Sequence, residues 1–337
     1  MLTPPTDISA ETIATALGEH YGFGVREVVF LPLGTDLTAT AFRVAATNGA
    51  AYFLKLRRGA FNSLEVALPA WLHAQGATVV MAPLATETGA LWFDNNRYTW
   101  TLYPFFLGAN AYHAPLTDVH WRTLGATLRC VHDAQPPADL AAQLPRDDYA
   151  LRYSDAVRAH DERMWTERWD DPLAARLAAF WQDQRAEILL VVTRAEELGA
   201  TVRQDAPPQV LCHGDFHGGN IMLGANDTLT IVDWDAAIFA PRERDLMFVG
   251  ASLSGHWDDA REVALFFEGY GAPGPDLIAD AYYRYERIVT DIALFTDEVF
   301  DRQGALADRE RSLDFFIGQF APQQDIARAH RAYERIG

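Results

Sequence analysis

The sequence is poor in cysteine, in basic residues and in long apolar runs, and each shortage argues against a class of protein. Its 337 residues include two cysteines, Cys130 and Cys212, which are too far apart for a paired metal motif and too few for a disulfide framework. No segment approaches the roughly 20 apolar residues of a membrane span. Residues 1–18 also lack the basic and apolar regions of a secretory signal. We therefore expect a protein of the reducing cytoplasm, with no membrane partner.

Basic side chains are outnumbered by acidic ones. The chain has 28 Lys and Arg against 46 Asp and Glu, a formal net charge of -18. This balance argues against a nucleic-acid partner, which would require clustered basic residues, and favours a cationic ligand. The alternative, that acidity only serves solubility, stays open. With 49% hydrophobic and 22% charged residues, the composition is that of a folded globular protein.

The pattern of apolar residues and turn signals changes near residue 106. Before that point we predict strands at residues 25–31, 38–45, 51–56, 90–93 and 98–103, with helices at 9–20 and 64–75. After it, helical periodicity dominates, at residues 117–134, 173–198, 258–270, 276–300 and 309–316. A β-rich stretch at residues 210–232 interrupts these helices. The sequence thus predicts an α+β fold with a small β-rich lobe, residues 1–106, and a larger, mainly helical lobe, residues 107–337.

One polar loop concentrates the side chains that carry chemistry. The apolar strand that ends at Cys212 runs into His-Gly-Asp-Phe-His-Gly-Gly-Asn, which contains Asp215 and Asn220. A second apolar strand then leads to Asp233. Because a hairpin brings the ends of its strands together, we expect these three oxygen-bearing side chains to be gathered in one place.

The spacing of these residues indicates phosphoryl transfer. Asp215 and Asn220 have the H-x-D-x-x-x-x-N spacing of a kinase catalytic loop, and Asp233 takes the place of the acid that follows it in kinases. Carboxylate and amide oxygens are the ligands that Mg²⁺ prefers. The sequence predicts that Asp215 orients or deprotonates an attacking hydroxyl, and that Asn220 and Asp233 bind Mg²⁺. The alternative is that these side chains only stabilise a turn and cap a helix.

This loop and the Ile-Val-Asp-Trp-Asp segment ending at Asp235 resemble the aminoglycoside phosphotransferase and choline kinase superfamily. The resemblance covers nearly the whole chain and implies a protein-kinase-like fold, an enzyme, and ATP with Mg²⁺ as cofactors. Residues 240–248 and 282–289 more narrowly resemble spectinomycin phosphotransferases within that superfamily.

The resemblance also implies where a nucleotide binds. Lys55, on the third strand, takes the place of the ATP-anchoring lysine, and Glu65 that of the glutamate that pairs with it. Gly34 takes the place of the loop that covers the phosphates, although a plain hairpin turn explains this glycine equally well. Tyr103 and Phe105 fall in the adenine-binding hinge, where ordinary core packing is the alternative.

Three further side chains belong to the catalytic loop or support it, one of them by the same resemblance and two by their place in the loop. Asp245 matches an aspartate that supports the loop and does not react. His213 is expected to orient Asp215, and His217 either contacts phosphate or stabilises the loop.

The acceptor implied by the resemblance is a small cationic molecule, first an aminoglycoside or aminocyclitol antibiotic such as spectinomycin. Asp235, Glu286, Asp291 and Tyr282 are candidates to bind it, through carboxylate pairs with ammonium groups and an aromatic face. Each of them has the alternative of being surface charge or core aromatic. Choline, homoserine and other hydroxylated metabolites remain alternative acceptors. A catalytically silent nucleotide-binding module is the alternative outside the enzymes, and the sequence gives no indication of oligomeric state.

Overall fold

The computed structural model describes residues 4–32, 38–95, 97–250, 257, 259–272 and 274–337. They belong to two compact units. The first consists of Met1–His120, Asp133–Leu144 and Gly218–Ala237, and the second of Trp121–His132, Pro145–His217 and Ile238–Gly337. The prediction that residues 1–106 and residues 107–337 form two lobes with separate functions stays a prediction.

The helices and strands are numbered in chain order. The strands are β1 Val25–Leu31, β2 Ala39–Ala46, β3 Ala51–Arg57, β4 Phe93–Asn95, β5 Tyr98–Pro104, β6 Gly108–Asn110, β7 Val210–Cys212, β8 Ile221–Gly224, β9 Leu229–Ile231 and β10 Ile238–Ala240. The helices are α1 Ala10–Tyr21, α2 Leu64–Ala74, α3 Asp118–Asp133, α4 Ala138–Ala141, α5 Ser154–Thr166, α6 Pro172–Asp205, α7 Glu243–Leu246, α8 Ala260–Tyr270, α9 Leu277–Phe300, α10 Leu306–Gly318 and α11 Asp325–Glu334.

A five-stranded antiparallel sheet forms the centre of the first unit, in the order β1-β2-β3-β5-β4. Helix α1 begins where the Ser9 side chain accepts a hydrogen bond from the Thr12 amide, and ends at Gly22 with a φ of 70°. Alternate residues of a strand point to the same face of a sheet, and the buried face of this sheet packs against α1. The shared core cluster contains Ile13, Ala16 and Leu17 of the helix and Val44, Leu54, Leu56, Trp100 and Leu102 of the strands.

A second sheet of the first unit, β6-β8-β9, carries the segment after the catalytic loop. The hairpin of β8 and β9 pairs Ile221 with Ile231. The backbone of Ile231 also accepts a hydrogen bond from Met81 and donates one to Val79, at 2.9 and 2.8 Å. These contacts fix the end of β9, and with it the position of the residues that follow.

The second unit is built around the two long helices α6 and α9. Asp171 caps α6 in front of Pro172, and Asp276 caps α9, each through its side-chain oxygen. A methyl group at Gly199 of α6 would lie 2.9 Å from the Tyr282 ring of α9, so glycine lets that ring approach the helix.

Helices α3 and α8 of this unit also approach closely through glycine. A methyl group at Gly125 would lie 2.0 Å from the Phe266 carbonyl oxygen, and one at Gly269 would lie 2.0 Å from that of Arg122. No side chain fits at either position. This close packing brings His132 of α3 to Tyr270 of α8, where its Nδ1 lies 2.7 Å from the phenol oxygen.

The predicted α+β fold class is confirmed, with differences at particular elements. Helix α6 continues to Asp205, beyond the predicted residue 198, and the strand expected at residues 90–93 lies at Phe93–Asn95. Strands β6 and β10 and helix α11 were not predicted, because each is short or lies at the polar end of the chain. Within the described ranges, no helix is long and apolar enough to cross a bilayer.

Candidate active site

Asp245 anchors the loop that carries Asp215. Its two carboxylate oxygens accept hydrogen bonds from the backbone amides of His213 and Gly214, both at 2.8 Å, and His132 Nε2 lies 3.0 Å from one of them. The carboxylate is fully buried. Gly214 has a φ of 84°, a conformation that favours glycine. Asp245 thus supports the loop through two backbone amides of that loop, as the resemblance implied.

The Asp215 carboxylate is held between two side chains. Arg287 Nη1 donates to Oδ1 at 3.0 Å, and His217 Nε2 lies 3.2 Å from Oδ2. The Asp215 amide donates to His213 Nδ1 at 3.3 Å, so His213 contacts the backbone of Asp215. Burial raises the pKa of Asp215, but the hydrogen bond from His217 and the charge of Arg287 outweigh it and hold that pKa well below its usual range. The carboxylate is therefore ionised at neutral pH.

The predicted acceptor-binding residues of α9 lie in different surroundings. Glu286 accepts from Arg244 Nη1 at 2.6 Å, and Asp291 pairs with Arg287 Nε at 3.2 Å. Tyr282 is 1% exposed and packs against α6, which matches the alternative of a core aromatic. Of these three, Asp291 contacts Arg287, the side chain that bonds to Asp215.

In the first unit, the hairpin brings the predicted metal ligands to neighbouring positions. The Val232 amide donates to the Asn220 carbonyl oxygen at 2.9 Å, which extends the β8-β9 ladder by one step and places Asp233 directly after it. Asp233 has a φ of 65°, a left-handed conformation that aspartate tolerates better than most residues and that often occurs at functional sites. The two side chains supply amide and carboxylate oxygens, a donor set that suits Mg²⁺.

The predicted nucleotide-binding lysine belongs to a cluster of four charges in the first unit. Lys55 Nζ lies 3.0 Å from Asp235 Oδ2 and 4.0 Å from Glu65 Oε2. Arg57 Nη2 lies nearer to both carboxylates, at 2.6 and 3.1 Å. Burial and the charge of Asp235 raise the pKa of Glu65 to about 7, against the opposing effect of Arg57 and Lys55. The expected Lys55 and Glu65 pair is thus one contact of a larger cluster, in which Asp235 bonds to both cations.

The predicted hinge lies at the end of β5. Burial raises the pKa of the Tyr103 phenol, and its ring meets that of Phe53 edge to face at 6.4 Å. The Phe105 amide donates to the Ala51 carbonyl oxygen at 3.0 Å, so this donor is already used within the sheet. Gly34, the remaining nucleotide-binding candidate, lies outside the described residues.

Arg57, Arg287 and His132 were not identified from the sequence as members of these arrangements. Arg57 is two residues from Lys55, and the period of a strand places both on one face. Arg287 and Asp291 have the i, i+4 spacing of helical ion pairs. Both spacings are visible in the sequence, but they do not show that Arg57 pairs with Asp235 or that Arg287 pairs with Asp215. No local signal pointed to His132, which reaches Asp245 only through the packing of α3.

Comparison with known proteins identifies the family. Residues 29–281, well over half of the chain, match the model of a phosphotransferase enzyme family. The chain belongs to this family. Its membership confirms the predicted resemblance and the prediction of a small-molecule phosphotransferase.

Several phosphotransferases are similar to this chain over most of its length. The crystal structure of spectinomycin phosphotransferase in complex with ADP and spectinomycin is 30% identical, covers 98% of this chain and 100% of that one, and superposes with a TM-score of 0.91. The AMP-bound complex of spectinomycin phosphotransferase is 29% identical, covers 96% and 98%, and has a TM-score of 0.87. Protein StrN of Streptomyces griseus is 28% identical over 234 residues, which are 64% of this chain and 67% of StrN.

A more distant likeness shows the fold alone. The aminoglycoside phosphotransferase from Alicyclobacillus acidocaldarius is 15% identical, covers 99% of this chain and 98% of that one, and has a TM-score of 0.65. The ADP and AMP in the spectinomycin phosphotransferase structures support the predicted nucleotide binding of this family member.

Proposed function

We propose that this phosphotransferase transfers the γ-phosphoryl group of ATP, in the presence of Mg²⁺, to a hydroxyl group of a small cationic aminocyclitol, with spectinomycin as the first candidate. The observation that carries the proposal is the ionised Asp215 on a loop anchored by Asp245. The choice of acceptor draws on the whole-chain similarity to spectinomycin phosphotransferase, which has been crystallised with spectinomycin.

Asp215 would act on the acceptor hydroxyl. In the proposed reaction the hydroxyl oxygen forms a bond to the γ-phosphorus, the bond from phosphorus to the β–γ bridging oxygen breaks, and ADP leaves. The hydroxyl proton passes to the Asp215 carboxylate. Because the pKa of Asp215 is held low, we expect this carboxylate to orient the hydroxyl first and to take its proton late, as a loose transition state allows.

The first unit would bind the nucleotide. Asn220 and Asp233 would hold Mg²⁺, which neutralises charge on the phosphates when it is bound. Lys55 is the proposed phosphate-binding cation. Its present bond to Asp235 shows that its ammonium group is already paired with a carboxylate, so phosphate binding would exchange one anionic partner for another. Tyr103 and Phe105 remain the proposed adenine-contacting residues, through their rings and not through the Phe105 amide.

Two carboxylates of α9 are the proposed acceptor contacts in the second unit. Glu286 and Asp291 carry negative charge on the same helix as Arg287, which bonds to Asp215. Tyr282 is assigned to packing, because its ring is buried against α6. Asp235 is assigned to the cluster with Lys55.

The test is a comparison of acceptors by two readouts. ADP release is measured with spectinomycin, choline, homoserine and a serine peptide, and each product is examined by mass spectrometry. We expect the highest kcat/KM and a phosphorylated product with spectinomycin. The Asp215→Asn variant should still bind nucleotide, while its kcat falls by roughly 100-fold or more.

Each other outcome rejects a different part of the proposal. Efficient phosphorylation of choline, homoserine or peptide with no phosphorylated spectinomycin would reject the acceptor and leave the kinase chemistry intact. ATP binding without stimulated ADP release by any acceptor would favour the silent nucleotide-binding module. Normal turnover by folded Asp215→Asn would remove Asp215 from the mechanism.

A further inference from the structure

Arg287 links the long helix α9 to the catalytic loop. Its Nη1 bonds to Asp215 Oδ1 at 3.0 Å, although the two residues are 72 positions apart in the chain. Charge-assisted bonds of arginine to a carboxylate are directional and stronger than neutral ones. The orientation of the Asp215 carboxylate therefore depends on where α9 places this guanidinium group.

The guanidinium group is itself fixed from its other side. Arg287 Nε lies 3.2 and 3.3 Å from the two carboxylate oxygens of Asp291, one helical turn further along. The side chains of Arg287 and Asp291 are 27% and 17% exposed, so the pair is largely shielded from water. The neighbouring carboxylate, Glu286, has its own partner in Arg244 at 2.6 Å. Arg287 is thus held between Asp291 and Asp215.

We infer that Arg287 is a positioning residue for the transfer reaction: anchored by Asp291, it fixes the orientation in which the Asp215 carboxylate receives the acceptor hydroxyl. This inference rests on the proposed function. The terminal torsion of an aspartate side chain is broad, and the bond from Arg287 to Oδ1, together with the His217 contact on Oδ2, narrows it. A carboxylate oxygen that accepts one hydrogen bond keeps a second lone pair for the hydroxyl.

Arginine suits this position better than lysine. Its planar group bonds to Asp215 through Nη1 and to Asp291 through Nε at the same time, each in a fixed direction. A lysine ammonium group is a point charge on a flexible stem, and supplies the charge without that geometry. Charge and orientation can therefore be separated by substitution.

Within the described part of the chain, charged and titratable groups face Asp215 from its own loop and from α9. His213 and His217 face it from its own loop, and Arg287 faces it from α9 with Asp291 behind. The charge of Arg287 is one of the causes that lower the pKa of Asp215. Removing that charge should raise this pKa, whereas a loss of packing alone would not.

The experiment compares Arg287→Gln, Arg287→Lys and Asp291→Asn with the unchanged protein in two separate measurements. The first is a titration of aspartate carboxyl carbons by NMR on the full chain without substrates, where Asp215→Asn identifies the Asp215 signal. We expect Arg287→Gln to move the Asp215 midpoint up by about one pH unit or more, and Arg287→Lys to move it less. This measurement needs no acceptor, so it stands if the proposed function fails.

The second measurement is ADP release with the acceptor found in the panel. We expect kcat to fall roughly 10- to 100-fold in Arg287→Gln, because the attacking group is misplaced, while KM for ATP changes less than about twofold. Arg287→Lys should recover part of that loss, and Asp291→Asn should show a smaller loss of the same kind. Arg284→Gln is the matched control, because Arg284 lies on the same helix and pairs with Asp280 four residues earlier.

Two results would overturn the inference. One is an Asp215 midpoint that does not move in Arg287→Gln. The other is a kcat in folded Arg287→Gln within about twofold of normal, or no lower than that of Arg284→Gln. A shifted midpoint in a protein that phosphorylates no acceptor would reject the proposed function and, with it, the catalytic meaning of the positioning.

Discussion

Replacing Asp245 by asparagine tests how strongly one buried carboxylate holds the catalytic loop. The carboxylate accepts two backbone amides of the loop at 2.8 Å and lies 3.0 Å from His132 Nε2. Asparagine has the same shape but offers one oxygen and one NH₂ group. One loop amide therefore keeps its acceptor, and the other faces a donor inside the protein.

The size of the effect follows from that lost bond. A buried donor without an acceptor costs about 1–3 kcal/mol, and more where the missing acceptor was charged. We expect the free energy of unfolding of Asp245→Asn to fall by about 2–3 kcal/mol. The tether next to Asp215 is then loosened, and kcat should fall by roughly 10- to 100-fold. Alanine would leave both amides and His132 without this partner, which threatens folding for a protein stable by about 5–15 kcal/mol.

Urea unfolding and ADP release measure the two effects on the same samples, and Asp280→Asn is the matched control. Asp280 is 1% exposed in the same unit and bonds to Arg284, four residues further along α9, at 3.0 Å. We expect the control to lose stability but to keep kcat. Our reasoning would be refuted by an Asp245→Asn protein with unchanged stability and turnover, or by an equal loss of kcat in both variants.

Two further predictions concern the first unit. Asp233→Asn tolerates the left-handed backbone but removes one negative charge from the proposed metal site, so the Mg²⁺ concentration for half-maximal activity should rise roughly tenfold or more. An unchanged Mg²⁺ requirement would place the metal elsewhere. Glu65 has a pKa raised from 4.5 to about 7, so its contribution to stability is fully present below pH 4.5 and is lost as pH rises through about 7. As the pH rises from 4.5 to about 7, the free energy of unfolding of the nucleotide-free protein should fall by up to about 3 kcal/mol more than that of the Glu65→Gln variant. Urea midpoints that change equally with pH in the two proteins would contradict this.

The local structure around the candidate site residues was predictable. A loop after β7 carries Asp215, and a short hairpin separates Asn220 from Asp233, as the turn signals indicated; the joint role of the three side chains stays a prediction. The fold class followed from periodicity for a similar reason, because strand and helix periods are local properties.

The pairing of charges was not predictable, because tertiary packing decides it. Lys55 and Asp235 are 180 positions apart, and no spacing relates them. Arg57, and not the expected Lys55, makes the shorter contact with Glu65. A strand pattern places two cations on one face, but only the tertiary structure, which brings Glu65 and Asp235 to those cations, determines which carboxylate each cation meets.

Glu286 and Asp291 are both paired with arginines, and this weakens the inference of a cationic ligand from the net charge of -18. From the sequence, Glu286 and Asp291 are predicted to be available to bind a cationic acceptor. In the structure, Glu286 is paired with Arg244 at 2.6 Å and Asp291 with Arg287 at 3.2 Å.

An acceptor ammonium group that binds either carboxylate has to share it with that arginine or displace the arginine. Displacement leaves a shielded guanidinium group without this partner. Since Arg287 also bonds to Asp215, a ligand that takes Asp291 from it would loosen the proposed catalytic carboxylate. A productive acceptor is therefore expected to share these carboxylates with their arginines and to present its neutral hydroxyl to Asp215.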